Sequence, residues 1–257
     1  MRSLIEKLNF ILLKRRISRA SRAGFPLPEH VGIIPDGNRR WAEQHHLPVA
    51  EGHRQGYAKV KELLDWALEA GIRIISFYAF STENFNRKPE EVQNLMDIFA
   101  SGCQELAKDE KIHKNQVRVH FIGNRELLSS QLVEIIQNLE DATRNYEKMH
   151  LNLAIAYGGR DEIVRLMRGL AEKAQNGELN PTDITEDLIG QSLDTGGQKD
   201  PDLIIRTSNE RRISGFLTWQ SSYSELIFQA PFFPAYKKAD FFAALSEYQI
   251  RQRRFGK

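Results

Sequence analysis

With one cysteine, Cys103, in 257 residues, the chain has no partner thiol for an internal disulfide, and a reducing compartment is expected. One cysteine beside seven histidines also gives no Cys/His zinc framework. No apolar run approaches the roughly 20 residues needed to span a bilayer. The apolar stretch near the start is interrupted by Glu6, Lys7 and Asn9, so a cleavable leader is not expected and the expected location is cytoplasmic. The GxxxxGK(S/T) phosphate loop, the GxGxxG dinucleotide turn and HExxH are all missing. Internal repeats and a domain linker are missing too.

What remains is an ordinary soluble composition, 41% apolar and 27% charged. Its net charge of +2 is unevenly spread. Residues 1–23 carry seven basic side chains (Arg2, Lys7, Lys14, Arg15, Arg16, Arg19, Arg22) against Glu6 alone, a net +6, which leaves −4 for the rest. An acidic body excludes a general nucleic-acid binder. The leader, residues 1–27, sets Leu4, Ile5, Leu8, Ile11 and Leu12 at helical spacing among its basic residues. Such a segment suits the surface of an anionic membrane, with contact through residues 1–25, and equally suits a solvated or packed helix.

Six apolar runs read as buried strands: 30–35, 72–80, 117–123, 151–157, 202–208 and 225–229. Most are apolar through consecutive residues, as strands covered on both faces are. Helical segments at 54–70, 89–109, 129–148, 159–177 and 238–254 fall between or after them. Strand alternating with helix predicts an α/β fold. Residues 28–257 are expected to form one domain with a six-stranded, mostly parallel open sheet flanked by helices. The stretch 194–201 (DTGGQKDP) is expected to be flexible.

Ligands of such sheets sit beyond the carboxyl ends of the strands. There the chain places Asp36-Gly37-Asn38-Arg39-Arg40, Ser81–Arg87 with Asn84 and Arg87, Gly158-Gly159-Arg160, and Arg206–Ser214 with Arg212. Gly37 admits close backbone approach. A helix start and paired arginines favour an anion such as phosphate. Asp36 fits that company if it holds a divalent cation bridging to phosphate. Taken alone, the first segment is better explained by a turn with solvated arginines. His53 and Glu225 are lone ionisable candidates, of a kind more often structural or solvated.

Together these segments resemble the cis-prenyl transferases, the undecaprenyl/dehydrodolichyl diphosphate synthase family, over residues 28–256. The resemblance rests on HVGIIPDGNRRWA at 30–42, EGH at 51–53, YAFSTENFNR at 78–87, NLAIAYGGR at 152–160, DLIIRTS at 202–208, RISGFLTWQ at 212–220, YSEL at 223–226 and RRFG at 253–256. The DDxxD aspartate pair of the all-helical trans-prenyl transferases is absent. The resemblance implies condensation of isopentenyl diphosphate with an allylic prenyl diphosphate into a polycis-prenyl diphosphate, a lipid-carrier precursor, by a magnesium-dependent homodimer. It implies Asp36 as the Mg2+ ligand, joined by Glu225 from across the dimer. The allylic diphosphate falls to Gly37, Asn38, Arg39, Arg40 and Arg87, and isopentenyl diphosphate to Arg206, Arg212 and Ser214. Ionisation and proton removal fall to His53, Ser81 and Asn84. Trp41, Thr82, Glu83 and Phe85 line the substrate region, and Arg254 and Gly256 form an RxG ending that reaches the partner's site. A hydrophobic tunnel for the tail is implied near Leu63, Leu64, Leu68, Leu95, Met96, Ile98 and Phe99, which also read as plain core.

Three positions depart from the pattern. Arg39 replaces a glycine common in bacterial members, Val49 an arginine that meets the allylic diphosphate, and Pro35 a methionine. Arg39 is expected to supply part of the charge missing at Val49. The alternatives are a member with an altered allylic site that makes short or non-standard products, and a non-catalytic partner subunit. Retention of Asp36, Asn84, Arg206, Arg212, Ser214 and the RxG ending favours activity.

Overall fold

The computed structural model describes residues 2–251, with side chains from Phe10 onward. The order is α1 (Arg2–Arg22), β1 (His30–Ile34), α2 (Asn38–Gln44), α3 (Val49–Ala70), β2 (Ile74–Ser81), α4 (Pro89–Leu106), α5 (Glu110–Lys114), β3 (Val117–Ile122), α6 (Ser130–Thr143), β4 (Met149–Tyr157), α7 (Gly159–Gln175), α8 (Glu186–Ser192), β5 (Leu203–Arg206), β6 (Glu225–Phe228) and α9 (Lys238–Ile250). The strands form a six-stranded parallel sheet in the order β3-β4-β2-β1-β5-β6. Each lies within about two residues of its expected run. β1 is buried along its whole length, as a run with no polar alternation must be.

The helices follow their end signals. Gly71 closes α3 in the left-handed region at φ 76°. Pro89, Glu90 and Glu91 open α4, where a missing N–H costs nothing and acidic side chains meet the positive helix end. The Ser129 hydroxyl caps α6 by accepting from the Leu132 N–H at 3.3 Å. The short polar helices α2, α5 and α8 carry too few apolar repeats to show a helical period.

Backbone contacts gather the described residues into two compact units: residues 2–75 with 201–212 and 223–251, and residues 76–200 with 213–222. In the first, β1, β5 and β6 run in parallel register, Val31 opposite Leu203 opposite Glu225 and Ile34 opposite Arg206 opposite Phe228. α1 is part of this unit. Phe10 packs edge-on against Phe242 of α9 at 5.2 Å, Ile17 is buried, and the Gln249 amide donates to Ser21 Oγ at 3.0 Å and to the Phe25 carbonyl at 2.8 Å.

In the second unit, β3 and β4 pair from Val117 opposite Met149 to Ile122 opposite Ala154. Cys103 on α4 is buried, which pushes its thiol up to about 12 and leaves it unreactive. The expected flexible stretch 194–201 is tied down instead. Asp194 accepts from the Gly123 N–H at 3.0 Å and receives both Arg165 Nη groups at 3.1 and 2.7 Å. The Asn152 amide donates to Gln198 Oε1 at 2.8 Å. Buried Asn152 on β4 must find polar partners, and this glycine-bearing loop supplies one.

Glu140 on α6 joins that helix to β3. It accepts from the Phe121 N–H at 2.9 Å and from Arg125 through both oxygens at 2.9 and 2.7 Å, and lies 3.4 Å from His120 Nδ1. Burial pushes the carboxyl up, but His120, the Phe121 N–H and Arg125 outweigh it and hold the group below its usual range. The hydrogen bond with Glu140 raises His120, against burial, with help from the Asp194 carbonyl. The raised histidine contributes stability fully below about pH 6.5, and that part is lost as pH rises through its folded value. The lowered carboxylate contributes above its unfolded value and loses that part as pH falls through its folded one. Glu140→Gln is expected to cost about 1–3 kcal/mol at pH 6, with a smaller gap from the parent at pH 8.5. Thermal denaturation across that range checks it, and a pH-independent gap counts against the pair.

Candidate active site

The register of β1 and β5 brings two loops together in the first unit. Asp36 and Thr207 are locked by two bonds, the Asp36 N–H to Thr207 Oγ1 at 2.9 Å and the Thr207 hydroxyl to the Asp36 carbonyl at 2.7 Å. Gly37 then turns the chain into α2 at φ 103°, where a Cβ would meet the Phe232 ring at 2.6 Å. Both the left-handed backbone and the close approach require glycine.

This places the Asp36 carboxylate between two guanidiniums. Oδ1 accepts from Arg40 Nη2 at 3.0 Å and Oδ2 from Arg206 Nη2 at 2.7 Å. Burial pushes the carboxyl up, but Arg206 first and then Arg40 hold it below its ordinary value, so it stays ionised at neutral pH. Arg206 is nearly buried, its side chain 6% exposed, and its Nη1 donates to the Arg212 carbonyl at 2.6 Å. Arg40 also reaches Ser208 Oγ at 2.8 Å and Glu210 Oε1 at 2.9 Å, and lies over the Phe232 ring at 5.5 Å. Glu210 pairs in turn with Arg212. Ser208 and Asn209 adopt left-handed φ values of 66° and 57°. The strain is held by the Ser208 N–H to the Pro231 carbonyl and the Asn209 N–H to the Gln229 carbonyl, both 2.8 Å.

α2 and α3 meet at Asn38. A Cβ on Gly52 would come within 2.3 Å of the Asn38 carbonyl oxygen, and one on Gly56 within 2.7 Å of the Asn38 amide. The glycine of EGH is therefore a packing residue, and His53 beside it is buried. The Asn38 Oδ1 is buried with no hydrogen-bond partner among the described residues. Arg39 is exposed, and Trp41 stacks on His45 at 4.3 Å.

Glu225 lies apart from Asp36 in its own chain. It is level with Val31 at the entry end of the ladder, whereas Asp36 follows the exit end. Five residues of strand separate those levels, about 16 Å. Its carboxylate pairs with Arg251 at 2.9 Å. Among the described residues no group of three His, Cys, Asp or Glu is placed to hold a metal. Arg254 and Gly256 lie outside the described residues.

The second unit holds the rest. Ser81 caps the one-turn helix Thr82–Asn86, its N–H donating to Asn84 Oδ1 at 3.1 Å in a reciprocal capping box. Glu83 sits in that turn's acidic start, Phe85 packs edge-on against Phe80 at 4.9 Å, and Arg87 pairs with Glu91 at 3.0 Å. A Cβ on Gly158 would meet Thr82 Oγ1 at 2.6 Å, so the glycine turn of YGGR makes room for this segment. The Gly159 N–H bonds the Gly215 carbonyl at 2.9 Å and Tyr78 Oη donates to the Ser214 carbonyl at 3.2 Å, which holds Ser214 at a left-handed φ of 51°.

Sequence reasoning missed Thr207, Ser208, Glu210 and Glu162. Glu162, 1% exposed, accepts from Tyr157 Oη at 2.6 Å and the Asp194 N–H at 2.9 Å; burial raises its carboxyl. A Glu two residues beyond YGGR carries no pattern that marks it as buried.

One ionised carboxylate flanked by guanidiniums at a helix start has the charge and donors to meet an anion such as phosphate. A family profile described as putative undecaprenyl diphosphate synthase matches residues 34–256. The chain belongs to that family. A tritrans,polycis-undecaprenyl-diphosphate synthase (geranylgeranyl-diphosphate specific) of Thermoplasma volcanium is 48% identical over 233 residues, 91% of this chain and 90% of the relative. An isoprenyl transferase of Thermus thermophilus is 45% identical over 250 residues, 96% and 95% of the two chains. Among solved structures, lavandulyl diphosphate synthase from Lavandula x intermedia with dimethylallyl diphosphate superposes with a TM-score of 0.83 at 37% identity, covering 90% of this chain and 99% of that one. A probable undecaprenyl diphosphate synthase from Campylobacter jejuni gives 0.74 at 33%, with the same coverage. This family member is a prenyltransferase of the polycis-prenyl diphosphate synthase class.

Its glycines offer a paired test. Gly52→Ala drives a Cβ into backbone and is expected to lower stability by about 1–3 kcal/mol. Gly169→Ala on α7, with nothing within 4 Å of its Cβ, is expected to raise it by about 0.5–1 kcal/mol. Chemical denaturation of both variants reads the signs, and a neutral Gly52→Ala would mean that α2 and α3 are not locked at Asn38.

Proposed function

We propose that this protein condenses isopentenyl diphosphate with an allylic prenyl diphosphate, with Mg2+ as cofactor, to extend a cis-prenyl chain. The observation that carries the reading is the Asp36 carboxylate held between Arg40 and Arg206 at the joined ends of β1 and β5. Arg206, Arg212 and Ser214 take isopentenyl diphosphate, and the amides at the start of α2 with Arg39, Arg40 and Arg87 take the allylic diphosphate. Arginine forks suit phosphate oxygens. Holding both diphosphates fixes the two carbons that join, so positioning contributes much of the rate.

Asp36 fits a metal as a single carboxylate ligand, the remaining positions falling to diphosphate oxygens and water. Both of its oxygens already face arginines, so this site suits an ion that arrives with substrate. Bound there, Mg2+ supplies charge neutralisation for the leaving diphosphate. Asn84, His53 and Ser81 are assigned to ionisation and to proton loss beside the new bond, with Trp41, Thr82, Glu83 and Phe85 lining the substrate.

A homodimer belongs to this reading, with Glu225 and the Arg254–Gly256 ending acting on the partner's site. The distance between Glu225 and Asp36 along one chain's sheet supports action across two chains. No helix among the described residues is long and apolar enough to cross a membrane. Contact with an anionic membrane surface through α1 is supported by the way α9 fixes that helix. Ile11, Leu12, Arg15, Arg16, Arg19 and Arg22 remain exposed, and retention on phosphatidylglycerol vesicles but not phosphatidylcholine ones tests the contact.

The reaction is tested by incubating the protein with Mg2+, labelled isopentenyl diphosphate and allylic diphosphates of several lengths. The geranylgeranyl-specific relatives make a 20-carbon starter the first choice. Products longer than the starter are expected, with loss of turnover in excess chelator. Asp36→Ala should lose at least about 100-fold while folded and regain activity when its subunits are exchanged with those of Glu225→Ala. Arg39→Gly is expected to raise the allylic KM; an unchanged KM removes the compensation for Val49. Full turnover by Asp36→Ala overturns the reading.

A further inference from the structure

Glu210 has no role in the reaction above, yet it connects its arginines. Its Oε1 accepts from Arg40 Nη1 at 2.9 Å and its Oε2 from Arg212 Nη1. Asp36 occupies the second Nη of Arg40 and one Nη of Arg206. Two protein carboxylates thus already engage three of the five guanidiniums assigned to the diphosphates, Arg40, Arg206 and Arg212.

The two carboxylates are held differently. Asp36 is fixed by the Thr207 lock beside β1. Glu210 follows the left-handed pair Ser208 and Asn209, and its described side-chain partners are these arginines alone. A carboxylate and a diphosphate present the same acceptor oxygens, and one N–H cannot serve both fully. The arginine partners are well exposed, 42% for Arg40 and 61% for Arg212, where ion pairs are weak and easily exchanged.

We propose that Glu210 is a resident anion: it holds Arg40 and Arg212 until substrate arrives, yields Arg40 to the allylic diphosphate and Arg212 to isopentenyl diphosphate, and so sets diphosphate affinity. This rests on the reading that those arginines bind diphosphate. Arg40 keeps Asp36, Ser208 Oγ and the Phe232 ring without Glu210. Removing the Glu210 charge therefore takes away competition and like-charge repulsion while Arg40 stays in order. A residue that merely ordered the arginines would, when neutralised, weaken binding, so the sign of the change separates the two roles.

The test is calorimetric binding of inorganic pyrophosphate to the full chain without metal at low salt, for the parent, Glu210→Gln, and Glu126→Gln as a control of equal charge on an exposed turn. Glu210→Gln is expected to bind about 3–10-fold more tightly than the parent. Glu126→Gln should match the parent, and the gap should narrow as salt is added. Equal or weaker binding by Glu210→Gln overturns the proposal. If the parent binds no pyrophosphate under any of these conditions, the assignment of the arginines fails and the proposal falls with it.

Discussion

The ion pair between Asp36 and Arg206 joins residues 170 positions apart, and the rest of the site is arranged around it. It exists because β1 and β5 are parallel neighbours in a register that sets Ile34 opposite Arg206. A one-residue slip would turn the Arg206 side chain to the other sheet face. The Thr207 lock, the left-handed turn at Gly37 and the strained pair at 208–209 all hold the two loops at this junction. An ionised carboxylate in half-buried surroundings is tolerable only with such partners. Those partners are also what a diphosphate needs.

This charge balance gives the site its character. Asp36 and Glu210 neutralise arginines that would otherwise repel one another, and neither carboxylate is deeply enclosed. In the proposed reaction, a diphosphate replaces Glu210 at its arginines and a cation joins Asp36. Where the all-helical trans-prenyl transferases carry an aspartate pair, the charge gathered beside Asp36 in this chain is that of arginines.

The sheet was legible because buried parallel strands are apolar without interruption, as in HVGII and LIIR. Asp36, Arg40 and Arg206 were legible because their segments follow such strands, and the resemblance gave them roles. Other features could not be read. The stretch 194–201 looked loose from its glycines, since composition does not show that Asn152, buried on β4, needs Gln198. Glu225 read as a lone glutamate whose link to Asp36 came from the resemblance alone, and the β5–β6 register sets it at the opposite end of the sheet from the Asp36 of its own chain. Glu210 looked like one more charge in a charged loop. His53 and Gly52 form one motif, but packing against Asn38 accounts for the glycine.

The central claim is that Asp36 and Arg206 work as one unit. A double-mutant cycle on the condensation kcat/KM, using Asp36→Asn, Arg206→Gln and the double variant, tests it most directly. Residues that act as a unit give non-additive losses, so the double variant is predicted to be about as slow as the slower single one. Losses that multiply in full would show that the two residues act independently and would contradict the account.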